Sequence, residues 1–307
     1  MTIVKIRSFS FAFLILILAA CSGSSKKSNR VEQTRTSGTV KILIDESFSS
    51  IIADQIEVFN SDYKSAKFIL SEGNENKIIP EFLNDSMRVI ILSRRLKPEE
   101  EKIYRNKGIV AKTSRFAIDG IALITGKDDL DTNITVEQVI NILKGTASDN
   151  KSLVFDNAYS STLRYFKDLA GIRDLPKKGV YTLQTNNDVI KYVAEHKNFI
   201  GVVGVNWLIA NNPDMSDYIG KVKMMGVKNL NTKKTDSAFY KPIQTNLING
   251  VYPFLRNVYI IDCEGRDGLG TGFANWLMSQ RGQLIVLKSG LGPHKMMPRE
   301  FNLRNTN

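Results

Sequence analysis

From residue 40 onward the chain alternates short, β-branched apolar runs with longer amphipathic stretches. Residues 40–44 form one such run. After Ser47 the apolar residues Ile51, Ile52, Ile56, Val58 and Phe59 recur at roughly helical spacing. Residues 68–70 are a second run and lead through Gly73-Asn74 to a helix holding Ile78, Ile79, Phe82 and Leu83. Residues 88–92 are a third and end at Ser93-Arg94-Arg95. Pro98 with Glu99, Glu100 and Glu101 then opens a helix, because proline and acids suit the first turn. Strand–helix alternation of this kind builds an α/β fold.

The alternation continues through a strand at 118–125, with Asp119-Gly120 embedded in it. Thr135 to Gln138 has capping-box spacing, and Val136, Val139, Ile140 and Leu143 make one helix face before Gly145 ends it. Strands follow at 152–155, 199–205 and 258–261. Helices are expected at 161–169 and 187–195, and one or two more at 272–287. No internal repeat is visible.

At the N-terminus Lys5 and Arg7 precede an uncharged apolar run, 9–20, that ends in small residues, the order of a secretory signal peptide. The run is well short of the roughly 20 residues a spanning helix needs. Leu18-Ala19-Ala20-Cys21 resembles the bacterial lipobox, in which the cysteine receives a diacylglycerol and the chain is cut just before it. Residues 1–20 are thus expected as a signal peptide and 21–37 as a flexible tether lipidated at Cys21, rich in Ser, Lys, Asn and Thr. The bland alternative is an ordinary signal peptide that happens to adjoin a cysteine.

The remainder, 38–307, is long enough for one large domain or two lobes with real cores. With Cys21 lipidated, Cys263 stands alone and no intrachain disulfide can form. The formal charge of +11 falls to about +6 once Lys5 and Arg7 leave with the signal and the basic tether is set aside. That excess fits an anionic small ligand, apposition to an anionic membrane, or simply a solvated surface. It shows no basic stripe with interleaved aromatics, so nucleic acid is not an expected partner.

Metal and cofactor sites are not expected. His196 and His294 lie far apart and lack partners at metal-ligand spacing. Between Gly120 and Gly126-Lys127 there are five residues where a P-loop has four, and Asp128 stands where Ser or Thr would bind magnesium. Gly268-Leu269-Gly270-Thr271-Gly272 has no complete βαβ unit after it and reads as a structural turn. No nucleophile elbow and no base beside an exposed serine are visible, so no enzyme activity is expected.

What remains is a set of hydroxyl-bearing loops between strands and helices: Ser47-Phe48-Ser49, Ser71 with Gly73-Asn74, Ser93-Arg94, and 156–162. In an open α/β sheet such loops converge where ligands bind, and helix N-termini there suit an oxyanion. Each hydroxyl alone is more simply a helix N-cap, and it is their joint placement on successive strand ends that points to a site.

Gly38-Thr39-Val40 into Asp45-Glu46-Ser47-Phe48, then Leu92-Ser93-Arg94-Arg95-Leu96 with Pro98 to Glu101, then Ala117 to Ala122, resemble the PstS family of phosphate-binding proteins. So do Thr135 to Gly145, Ile200 to Gly204, Tyr252-Pro253-Phe254-Leu255-Arg256 and 268–287. The resemblance implies a two-lobed, periplasmic-binding-protein-like (type II) α/β fold with a hinge, with 38–118 plus 255–307 as one lobe and 119–254 as the other. It implies a monomer that closes on phosphate or a similar oxyanion and delivers it to an ABC transporter permease. By motif position the ligand-binding residues would be Ser47 and Phe48, Ser71, Ser93 and Arg94, and Ser160, Ser161 and Thr162.

Two positions depart from the family. Asp156 stands where it commonly has arginine, and Ser161 where it has glycine. Arg94 occupies a place where some relatives have an aspartate. Either the charges have exchanged loops, Arg94 supplying a fork of donors and Asp156 accepting a ligand proton or steadying Arg94, or Asp156 caps a turn and Arg94 faces solvent. The alternative is a surface or signalling lipoprotein that keeps the fold but has altered or lost anion binding.

Overall fold

The computed structural model describes residues 32–85, 87–148, 150–209, 212–230 and 238–295. The expected signal, Cys21 and most of the expected tether lie outside the described residues. The chain divides between Glu32 and Gln33, and everything below belongs to the second unit.

Strand β1 (Gly38–Asp45) pairs in parallel with β2 (Ala66–Gly73) and β3 (Val89–Leu92). Between β1 and β2 runs α1 (Ser49–Asp62), whose helical spacing gathers Ile51, Ile52, Ile56 and Phe59 onto one buried face. Helices α2 (Glu75–Leu83) and α3 (Pro98–Arg105) follow β2 and β3. Every residue of β3 is buried, as expected of a strand covered on both faces.

The long strand β4 (Lys112–Gly126) joins the two halves of the sheet. From Lys112 to Gly120 it runs antiparallel to β11 (Leu255–Asp262), which itself pairs with β3. From Ile121 to Ile124 it pairs with β8 (Phe199–Gly204). Beyond β8 lie β6 (Ser152–Phe155) and β7 (Val180–Thr182), both parallel to their neighbours. The order β2-β1-β3-β11-β4-β8-β6-β7 thus makes two lobes that share β4. The short strands β5 (Asn133–Thr135) and β10 (Gly226–Lys228) pair with each other, while β9 (Val222–Met224) and β12 (Gly292–Pro293) add to β4.

The second lobe carries α4 (Val136–Leu143), α5 (Ser161–Ala170), α6 (Asn186–Glu195) and the short α7 (Asn206–Ile209), α8 (Ser216–Ile219) and α9 (Gln244–Ile248). The chain then returns through β11 to α10 (Leu269–Met278) and α11 (Gln280–Lys288) in the first lobe. The segment expected as one or two helices is two, broken at Ser279, whose hydroxyl caps the second by accepting from Gly282 N. The glycine-rich run expected as a turn instead opens α10: Gly268 is its N-cap and Leu269 to Gly272 are its first helical residues.

Separate apolar cores cover the outer faces of the two halves, one around Leu43, Phe82, Ile90 and Tyr104, the other around Val154, Val189, Ile190 and Val203. A larger core runs through both lobes and includes Phe59, whose ring meets Phe68, Phe273 and Trp276 edge-on. Among the described residues no helix is long and apolar enough to cross a membrane.

Candidate ligand site between the lobes

The loops after β1 and β6 face each other at the middle of the sheet. Asp45 ends β1 and turns the chain by accepting from Ser47 N at 3.1 Å, which buries Ser47 and Phe48 in a single turn of 3₁₀ helix. Opposite, Ser160 is the N-cap of α5, its Oγ accepting from Leu163 N at 3.1 Å. Ser160, Ser161 and Thr162 are fully buried. Ser47 Oγ and Ser161 Oγ lie 3.2 Å apart, so hydroxyls from the two lobes share one hydrogen bond. Ser160 begins α5, so the positive end of that helix lies at this place.

The cation here is Arg256, on β11, the last residue of the Tyr252-Pro253-Phe254-Leu255-Arg256 stretch. Its Nε donates to Asp119 Oδ2 at 2.6 Å and its Nη1 to Ser161 Oγ at 3.0 Å and Thr162 Oγ1 at 3.1 Å. The guanidinium lies 4.9 Å above the Phe48 ring. Burial opposes its charge, but the attraction of Asp119, Asp45 and Asp156 outweighs that and holds its proton more firmly than usual. Its Nη2 is buried and has no hydrogen-bond partner among the described residues.

Gly204, at the end of β8, keeps the flank open. A Cβ there would come within 2.6 Å of Asn206 Oδ1, whose Nδ2 donates to Ser47 O at 3.3 Å.

Three buried carboxylates surround the arginine. Burial pushes Asp45 up to about 6 and raises Asp119 and Asp156, in each case against the pull of Arg256. Asp45 Oδ2, Asp119 Oδ1 and Asp156 Oδ1 are buried without partners. Asp156 Oδ2 accepts from Asn186 Nδ2 at 3.2 Å. Among the described residues no group of His, Cys, Asp or Glu is arranged to hold a metal ion.

Ser47, Phe48, Asp156, Ser160, Ser161 and Thr162 are therefore brought to one place. Ser93 joins indirectly, its Oγ accepting from Arg164 Nη2 of α5 at 3.0 Å. Ser71 does not join. The strand expected to end at 70 runs to Gly73, so Ser71 lies inside β2 beside Leu43, with its Oγ donating to Glu81 Oε2 at 3.3 Å. The expected Arg94–Asp156 contact is also absent. Arg94 donates to Glu75 at 3.1 Å, to both oxygens of Glu100 at 2.8 and 2.9 Å, and to Arg95 O at 2.9 Å. Its fork is taken up within its own lobe, because the first turn of α3 presents Glu100 to it.

Fold and site together define a two-lobed α/β protein in which the start of α5 and a set of hydroxyls meet between the lobes. The chain belongs to the PBP superfamily, since the family model described as PBP superfamily domain matches residues 29–281. It is 22% identical to the phosphate-binding protein PstS of Pseudomonas aeruginosa over 84% of this chain and 83% of that one. The resemblance to PstS proteins read from the sequence is thus borne out. A Clostridium perfringens protein described as a phosphate ABC transporter substrate-binding protein, solved with bound phosphate, superposes with a TM-score of 0.68 at 21% identity, covering 84% of this chain and 100% of that one. An ABC-type phosphate transport receptor from Vibrio cholerae gives 0.62 at 18% identity over 84% and 100%.

Proposed function

We propose that the chain is an extracytoplasmic solute-binding lipoprotein that holds phosphate between its lobes and delivers it to an ABC importer, without chemical turnover. The observation that carries this reading is the unpartnered Nη2 of Arg256, buried beside the N-terminus of α5 and the hydroxyls of Ser47, Ser161 and Thr162. A buried donor without an acceptor is costly, and an oxyanion supplies one. Ser47, Phe48, Ser160, Ser161, Thr162 and Arg256 hold the anion. The free carboxylate oxygens select for an anion that still carries a proton, which fully ionised sulfate does not.

The hinge we place at 118/119 and 254/255. Two residues beyond the first point, after Gly120, β4 leaves β11 for β8, and at the second the chain enters β11, so a change of backbone angle there tilts one half of the sheet against the other. Relatives named phosphate-binding protein PstS support the ligand, and lipidation of Cys21 supplies the membrane anchor.

Calorimetry and thermal unfolding with phosphate test the reading. Millimolar phosphate is expected to raise the midpoint by mass action, and sulfate is expected neither to do so nor to compete. No response to phosphate or arsenate would overturn it in favour of a surface or signalling lipoprotein. Cys21→Ser is expected to release the protein from membranes.

A further inference from the structure

Resting on the lipoprotein reading above, we infer that the base of the first lobe is a membrane-facing surface: a loop carrying Lys107, Val110 and Lys112, together with a strap at 33–37, seats the protein on anionic phospholipid headgroups. The base is the end of the lobe away from the candidate site. Strands β1, β2 and β3 run parallel and β1 ends at the site with Asp45, so their first residues Gly38, Ala66 and Val89 lie at the far end. Lys112 pairs with Asp262, which pairs in turn with Val89, so the start of β4 lies there too. The eight residues of β1 hold the site about 23 Å from that end.

Two features mark the base. Helix α3 stops at Arg105, and Gly108 turns the chain with a φ of +73°, which glycine adopts without strain. The turn lays Ile109 against Gly265 and leaves Val110 79% exposed, between the exposed Lys107 and Lys112. The second feature is the strap. Gln33 Oε1 accepts from Thr39 N at 3.2 Å, Thr34 N donates to Ser37 O at 3.0 Å, and Arg35 Nη2 donates to Asp267 Oδ2 at 2.6 Å. A Cβ on Gly272 would collide with Arg35 O, so the strap lies directly on the first turn of α10. The chain from Cys21 therefore enters the fold at the base. Residues 22–32 span at most about 40 Å when fully extended, so a lipidated Cys21 keeps the base near the bilayer.

Charge selects the partner. Asp267 is shared by Arg35 and Lys112, and Asp85 by Arg88 and Lys107, so each carboxylate leaves one positive charge over. Arg105 and Arg266 are matched one to one by Glu101 and Glu264. Residues 22–31 add Lys26, Lys27 and Arg30 and no acid. An anionic leaflet attracts such a surface, and Val110 adds apolar contact at the headgroup boundary. A second copy of the chain would bring the same positive charge and be repelled. Seated this way the protein holds its cleft away from the bilayer, and it must lift off to dock on the importer.

The test uses the mature lipidated chain in vesicles of phosphatidylcholine alone or with one third phosphatidylglycerol. Cys263 is buried and the Cys21 sulfur is taken by lipid, so an environment-sensitive dye attaches only at an introduced thiol. In the phosphatidylglycerol vesicles, nitroxide-labelled lipid is expected to quench dye at Val110→Cys several times more strongly than dye at Leu130→Cys, an exposed position in the second lobe. Quenching at 110 is expected to fall in phosphatidylcholine alone and at about 0.5 M salt, where screening leaves only short-range attraction. It should fall too in Gly272→Ala, which lifts the strap, and in Lys107→Gln with Lys112→Gln. Circular dichroism establishes that each variant is folded. Equal quenching at 110 and 130, or equal quenching at 110 in the two lipid compositions, overturns the proposal. Quenching that survives Gly272→Ala overturns the part given to the strap, and quenching that survives the lysine changes overturns the part given to the loop. Failure of the unlabelled wild type to sediment with either vesicle would overturn the lipoprotein reading itself, a separate outcome.

Discussion

Arg164 on α5 reaches across the cleft to Glu75 on α2, with Nε 3.1 Å from Oε2, so an ion pair ties the second lobe to the first. The same guanidinium donates to Ser93 Oγ at 3.0 Å. Glu75 thereby sits between Arg164 and Arg94, and it can neutralise one fully only at the expense of the other.

This contact is expected to bias the lobes toward closure. Arg164 is about a third exposed, so solvent screening limits the pair to less than about 1 kcal/mol. Arg164→Ala should increase the radius of gyration of the ligand-free protein in small-angle scattering while leaving the phosphate complex unchanged. An unaltered ligand-free profile would show that the pair does not hold the lobes.

Arg256 and Asp119 are both buried, and removing one strands the other. Arg256→Met should cost about 3–5 kcal/mol in urea unfolding. Adding Asp119→Asn should recover part of that loss, because the stranded charge is gone, but phosphate affinity should stay low in both. A double variant no more stable than the single one would contradict the pairing.

Arg94→Ala should lower stability and leave phosphate affinity nearly unchanged, since the donors of Arg94 go to Glu75, Glu100 and Arg95 O. Calorimetry checks this, and a large affinity loss would return Arg94 to the site.

Burial pushes Asp45 up to about 6, above its ordinary 3.8, so its ionised form destabilises the folded protein at neutral pH. That penalty, about 3 kcal/mol for a shift of this size, shrinks progressively as pH falls from about 6 towards 3.8. Unfolding free energy should therefore rise from pH 7.5 to 5. Asp45→Asn should be more stable than wild type at pH 7.5 and show a flatter profile over the same range.

Phe59 packs against Phe68, Phe273 and Trp276, and Trp276 Nε1 donates to Gln55 Oε1 at 3.0 Å. Phe59→Ala should cost about 3–5 kcal/mol and shift the Trp276 emission as its pocket loosens. Unchanged emission would mean that the aromatic cluster had repacked around the gap.

Most of the elements were legible from local pattern. The cap of α4 at Thr135, the start of α5 after Ser160 and the all-buried β3 follow from residues adjacent in sequence. Strand β4 begins six residues before the apolar run at 118–125, because its first half is partly exposed and lacks a sustained apolar period. The short β7, β9 and β10 escaped notice because three residues carry too little periodicity to register.

The site was only half legible. Ser47, Phe48 and 160–162 could be found because they sit on loops between a strand and a helix. Arg256 could not be ranked above other arginines, since it contacts Asp119 and Ser161 across 137 and 95 residues. One signal did exist: Asp119 is a carboxylate inside an apolar strand, and a buried charge needs a partner.

Sequence alone determined the α/β elements, the hydroxyl-bearing loops and the resemblance to PstS proteins, because helical and strand periods and capping residues act over a few positions. The tertiary structure decided which charges those loops face. Arg94 turned to Glu100 within its own lobe, and Arg256, carried in by β11, took the central place among Asp45, Asp119 and Asp156. Electrostatic partners are set by through-space distance and burial, and neither is written in the order of residues along the chain.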